Sequence, residues 1–144
     1  NFTNVFSARK AVSNKKGTVS LYKNSLDSSM NSLIKRKGSH KTIQIDCIAL
    51  DDFIGNEHVD VIKMDIEGAE PFALEGMRKT IEKNPGLAMF IELNPVALKE
   101  AGSAPDTLKH LLYDLGFNTF TILDELRNDN DELVLCNLYC RHKN

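Results

Sequence analysis

One stretch restricts the fold more than any other. From Val61 to Met77 the chain reads VIKMDIEGAEPFALEGM, an apolar run that ends in charge and then resumes with apolar residues at helical spacing. On an extended backbone Val61, Lys63 and Asp65 point one way while Ile62, Met64 and Ile66 point the other. Beyond the charged break the period changes: Ala73, Leu74, Met77 and Ile81 form one helical stripe, with Pro71 in the first turn, where its missing N–H does no harm. The apolar character of VDVIKMDI predicts a central strand, and a strand that feeds a helix in this way is the opening of an α/β unit. Lys63 on such a strand is costly to bury without a partner, and the carboxylates that follow it supply one.

The pattern repeats downstream. Asn84–Gly86 ends the helix and LAMFIEL forms a second buried strand. Ser103 with Asp106 three residues later predicts a capping box, Leu108, Leu111, Leu112 and Leu115 form the next stripe, and Gly116 closes it. FNTFTIL is a further strand, and the polar RNDND turn leads into ELVLCNLYC, so the last two strands pair as an antiparallel hairpin. Upstream, GTVSLY and TIQIDCIAL alternate as strands do, NVFSARKAV holds another, and LDDFIG makes a short turn or helical segment. Residues 23–40, rich in Ser and Asn and ending in the basic run IKRKGSHK, predict a flexible, solvated surface loop. The expected architecture is α/β, mostly parallel, with an antiparallel C-terminal hairpin.

Composition excludes several classes. With 144 residues and 42% apolar content, the chain is long enough for one domain with a real core. Eighteen Lys and Arg against 20 Asp and Glu leave a formal charge of -2, so no electrostatic grip on nucleic acid or on an anionic membrane is expected. No run approaches the length of a membrane span, and the odd count of three cysteines fits a reducing compartment. A cytoplasmic protein is the expectation.

The chemistry concentrates at strand ends. In parallel sheets ligands bind at the carboxyl ends of strands, and neighbouring strands would bring Asp65, Glu67 and Glu92 to one edge. Three carboxylates there suit a hard divalent cation, hydroxyls or positive charge, and Asn94 adds a neutral oxygen. Gly68 marks a turn that needs positive φ or close backbone approach, and Glu70 complements a helix N-terminus. Cys136 and Cys140 share a strand face with Val134 and Leu138 and read as core thiols; with His142 they are also a weak candidate metal set.

The segment VDVIKMDIEGAEPFALEGM closely resembles the DxxKxDxEGxE...L.G signature of the FkbM-like methyltransferases, through Asp60, Lys63, Asp65, Glu67, Gly68, Glu70, Leu74 and Gly76. NVFSARKAVSNKKGTVSLY, IALDDF and MFIELNP are similar to flanking elements of that family. The resemblance implies a partial Rossmann-like class I sheet and methyl transfer from S-adenosylmethionine to a hydroxyl of a sugar or natural product. It further implies Asp65 or Glu67 as base or metal ligand, Glu92 as second carboxylate, Lys63 as their charge partner, and Gly68 and Glu70 on the cofactor side. The glycine-rich donor loop of such enzymes has no counterpart among the eight scattered glycines. The chain therefore resembles the carboxyl-terminal portion of a catalytic domain, with an open edge on the Lys63 strand that invites self-association. A non-catalytic module derived from such an enzyme and a divalent-metal-dependent hydrolase are the alternatives.

Overall fold

Alternation of Ile43, Ile45 and Cys47 with polar residues builds β3 (Ser39–Ile48), the middle strand of a three-stranded sheet. The computed structural model describes residues 3–24, 31–35 and 39–142. On one side of β3 runs β2 (Gly17–Asn24), antiparallel, with Leu21 opposite Ile43. On the other lies β1 (Ala11–Val12), parallel, with Ala11 opposite Cys47. Of the strand expected over Asn4–Val12 only these two residues pair, and Val5 and Phe6 are exposed.

The loop expected over 23–40 is shorter and better anchored than its composition implies. β2 runs to Asn24 and β3 begins at Ser39. Between them Ser32 is buried and exchanges backbone hydrogen bonds with Tyr22, at 2.8 and 3.1 Å. Residues 25–30 and 36–38 of the expected loop, with Arg36 and Lys37 of the basic run, lie outside the described residues.

A second sheet carries β4 (Val61–Met64), β5 (Ala88–Leu93), β6 (Phe117–Arg127) and β7 (Leu133–His142) in the order β4-β5-β7-β6. Only β4–β5 is parallel; β7 inserts between β5 and β6 and runs against both. The mostly parallel sheet is thus corrected to a mixed α/β arrangement. The cause is the tight turn after Arg127, where Asn128 Oδ1 accepts the N–H groups of Asn130 and Glu132 at 3.0 Å each and Asp131 takes φ 62°. That turn reverses the chain at once, and a reversed strand docked beside β5 is antiparallel to it. β4 is also not central: it is an edge, no described strand pairs with its outer side, and Val61 is 56% exposed.

The helical stripe after the charged break is buried as expected, at Ala73, Leu74, Met77 and Ile81, but two helices carry it, α2 (Glu70–Glu75) and α3 (Arg78–Lys83). The break has a long-range cause in Asp51, from the short helix α1 (Leu50–Ile54). Its backbone N–H donates to the Gly76 carbonyl at 2.9 Å, while its carboxylate accepts the N–H of Lys79 at 3.1 Å and of Thr80 at 2.7 Å. In one continuous helix Thr80 N–H would bond to Gly76; here Asp51 satisfies both groups and serves as the cap that α3 lacks locally. Asp51→Ala should therefore cost about 2 kcal/mol, because Thr80 is buried and its N–H loses its only strong acceptor. Urea unfolding would register this as a lower midpoint with an unchanged slope.

The third unit differs from its expected start. α5 (Pro105–Asp114) is preceded by Ala104 at the cap position, with no side-chain cap, so Ser103 and Asp106 form no capping box. Pro105 occupies the first helical position, and Ser103 belongs to the end of α4 (Pro95–Glu100), its N–H donating to the Leu98 carbonyl at 2.8 Å. Gly116 closes α5 at φ 92°. Leu74, Met77 and Ile81 join Leu98, Leu108, Leu112 and Phe117 in one core with Met64, Met89, Ile91, Leu93, Cys136, Leu138 and Cys140. Burial alternates along β5, so Met89, Ile91 and Leu93 face that core while Ala88, Phe90 and Glu92 stand on the other side. No helix among the described residues is long and apolar enough to cross a membrane.

Candidate active site

The parallel pairing of β4 and β5 brings their carboxyl ends to one edge. Lys63 lies opposite Phe90 and Met64 opposite Ile91, so continuing the register sets Asp65 beside Glu92. Carboxylate oxygens of Asp65, Glu67 and Glu92 all come within 4.8 Å of one another. Acidic groups lie this close in many proteins without an ion between them, so proximity alone carries no metal. Cys136, Cys140 and His142 are not brought together as a metal set among the described residues. The two thiols are buried in the core, and burial pushes Cys140 up to about 12.

Lys63 reaches toward the cluster without entering it. Its Nζ stands 3.8 Å from Asp65 Oδ2, and the two side chains are 54% and 46% exposed. An edge position spares this lysine the burial expected of a central strand, and so exposed a pair contributes at most about 1 kcal/mol.

The loop between β4 and α2 is held from three sides. Glu67 and Gly68 adopt φ 56° and 95°, consecutive left-handed residues of which the first is unfavourable for a side chain. Glu70, 3% exposed, turns Oε1 back to accept the N–H of Ile66 at 3.2 Å and of Gly68 at 3.3 Å. Ser32 Oγ donates to the Glu67 carbonyl at 2.7 Å. From below, the α4 backbone closes on Gly68: a Cβ there would stand 2.6 Å from the Ala97 carbonyl oxygen. Gly68 and Glu70, expected on the cofactor side, are thus placed in the scaffold of the loop, and neither lines the two cavities at this edge. Asn94, the neutral oxygen expected here, caps α4: its Oδ1 accepts the Ala97 N–H at 3.0 Å.

Glu92 is the most perturbed member. Its carboxyl is pushed up to about 7 by partial burial and, after that, by the negative charges of Asp65 and Glu67, with Lys63 opposing. Two cavities meet here and share Asp65. One, about 320 Å³, lies toward the three-stranded sheet and is lined by Lys10, Val12, Leu21, Leu33, Asp65 and Glu67, among others. The other, about 420 Å³, lies across the four-stranded sheet between Lys63, Asp65, Phe90, Glu92, Asp124 and Asn137. Ser32, Asp124 and Asn137 are the residues that sequence reasoning passes over. The one signal for Asn137 is that it interrupts the apolar alternation of LVLCNLYC.

A family model described as the methyltransferase FkbM domain matches residues 5–119, most of the chain. No curated protein matches the sequence. No solved structure matches it either.

Proposed function

The chain belongs to the FkbM methyltransferase family, and on that premise we propose that it transfers a methyl group from S-adenosylmethionine to a hydroxyl oxygen of a sugar or natural product, with Glu92 accepting the hydroxyl proton. The residues at the shared edge suit the donor's charge. Its sulfonium and ammonium are cationic, and the smaller cavity combines the Asp65 and Glu67 carboxylates with an apolar wall of Val12, Leu21 and Leu33. When bound, the donor supplies an electrophilic methyl carbon and leaves as a neutral thioether.

The chain's own part is to hold two ligands on either side of Asp65 and to take up a proton. Transfer needs oxygen, carbon and sulfur roughly in line, so donor and acceptor must be held next to each other, and Asp65 lines both cavities. The hydroxyl must lose its proton as the O–C bond forms. A carboxylate that titrates near 7 is an effective acceptor there, being substantially ionised at neutral pH yet far more basic than an ordinary glutamate. Partial burial, and then the charges of Asp65 and Glu67, keep Glu92 basic, and Glu70 and Ser32 hold the loop that carries Glu67 beside it. The observation that carries the reading is this placement of a perturbed Glu92 on the wall of the larger cavity, one residue away from the smaller.

Titration of S-adenosylmethionine into the 144-residue chain by calorimetry tests it. Saturable binding that weakens about tenfold or more in a double Asp65→Asn, Glu67→Gln variant is expected, since both carboxylates facing the cation are lost. Absence of binding both by this chain and by one extended upstream would favour a non-catalytic module derived from the family. Phosphate-ester hydrolysis abolished by a chelator, without donor binding, would favour the hydrolase alternative.

A further inference from the structure

The larger cavity reaches beyond the part of the chain that the family model covers. Its far wall comes from β6 and β7, at Leu123, Asp124 and Asn137, whereas the match ends at residue 119. Glu92 is paired in register with Asn137, and Asn137 in turn with Asp124, so three polar side chains stand in a row across β5, β7 and β6. A β-bulge produces the last step. The register shifts between Ile122 and Asp124, which sets Leu123 and Asp124 together against Asn137 and turns Asp124 to the cavity.

Asp124 also orients its neighbour: Asn137 Nδ2 donates to Asp124 Oδ1 at 2.8 Å. An amide fixed in this way presents its Oδ1 and its second N–H, one acceptor and one donor, as a hydroxyl group requires. Phe90 forms an apolar part of the wall and is backed by the Tyr139 ring, with centroids 5.0 Å apart. Around it the ionisable groups are Asp65, Glu92 and Asp124 against the single cation Lys63.

We infer that the β6–β7 hairpin is the acceptor wall of the site, with Asn137 and Asp124 as its specificity-determining residues. It selects an uncharged or cationic hydroxyl compound with an apolar face over one bearing a phosphate or carboxylate. The word acceptor rests on the methyl-transfer reading; the charge preference of the cavity does not.

A pair of small nitroxides, one carrying an ammonium and one a carboxylate, tests the preference without knowledge of the acceptor. Their paramagnetic broadening of the Asn137 side-chain amide is read by NMR and normalised to the exposed Gly102 amide. At moderate ionic strength the cationic probe should broaden Asn137 about threefold more than the anionic one. Asp124→Asn should lower the ratio, and Asp124→Lys, which sets two cations against two carboxylates, should bring it close to one; the asparagine variant keeps the test decisive if the lysine variant does not fold. Equal broadening in the parent protein, or an unchanged ratio in Asp124→Asn, overturns the inference. Loss of donor binding in calorimetry with an intact ratio would overturn the methyl-transfer reading alone.

Discussion

Replacing Glu92 with glutamine should yield a protein more stable than its parent at pH 8, equally stable at pH 4, and deficient in methyl transfer. The folded carboxyl holds its proton up to about 7, against an ordinary value of 4.5, because burial and then the charges of Asp65 and Glu67 disfavour ionisation. Between those limits the folded state binds more protons than the unfolded one, so stability falls as pH rises through the window. A neutral glutamine removes that fall. Glu92 is only partly shielded from water, which reduces the full linkage value to a gain of about 1–2 kcal/mol at pH 8. At pH 4 the carboxyl is protonated in either state, and glutamine differs little from it.

Glu70 is also raised, chiefly by burial, but it is present in both proteins and cancels from the difference. Loss of the proton acceptor should meanwhile lower turnover by about 10² to 10⁴, with smaller change in donor affinity. Urea midpoints at the two pH values and single-turnover rates check both halves. A variant less stable than the parent at pH 8 would mean that attraction to Lys63 outweighs repulsion by the carboxylates, and the assignment of Glu92 as base would fall with it. Gains in stability accompanied by loss of activity are the usual mark of a group held in an unfavourable state for function.

What the sequence reveals of this arrangement depends on how local the cause is. Glu92 and Asp65 are visible as charges at the ends of apolar runs, and the parallel pairing that joins them follows from strand, helix, strand in order. Cys136, Leu138 and Cys140 are visible by alternation alone and are buried in the core. The single long helix expected after Gly68 fails for a non-local reason, since residues 70–83 carry an unbroken stripe and the interruption comes from Asp51. The capping box fails because Pro105, a stronger determinant of the first helical position than Ser103 is of the cap, moves the start by one residue. Asn137 and Asp124 become neighbours only through a bulge at Leu123, and nothing in an alternating strand announces an extra residue. Ser32 lies in a stretch whose composition reads as solvated loop, yet its hydroxyl reaches the carbonyl of Glu67, 35 positions away. The charges of the candidate site are thus legible and the devices that hold them are largely not.

Gly76→Ala sets two physical effects against each other and should be decided by the larger. The backbone there, φ -80° and ψ 2°, suits alanine, so propensity alone predicts a gain of up to about 1 kcal/mol. Packing predicts the opposite. A Cβ at this position would run into the Ser13 carbonyl oxygen and come within 3.0 Å of Asn14 Cα, both main-chain atoms with little room to yield. Ser13 is itself fixed to the end of β3 by a 2.8 Å bond from its N–H to the Ile48 carbonyl. Overpacking against backbone costs about 1–3 kcal/mol, and any shift of Gly76 also strains its carbonyl's bond to Asp51, so a net loss of about 2 kcal/mol is expected. Because Asp51 and Gly76 act on one junction, Asp51→Ala combined with Gly76→Ala should cost less than the two single losses added together. The junction joins α2 to the three-stranded sheet, and Val12 and Leu21 of that sheet wall the smaller cavity. Gly76→Ala should therefore weaken donor binding as well, while the titration of Glu92, set within the four-stranded sheet, stays where it is. A shift of both together would mean that the two sheets and the carboxylate edge move as one body, and a stabilised Gly76→Ala protein would show that Ser13 yields freely and that the junction is not what positions the cavity.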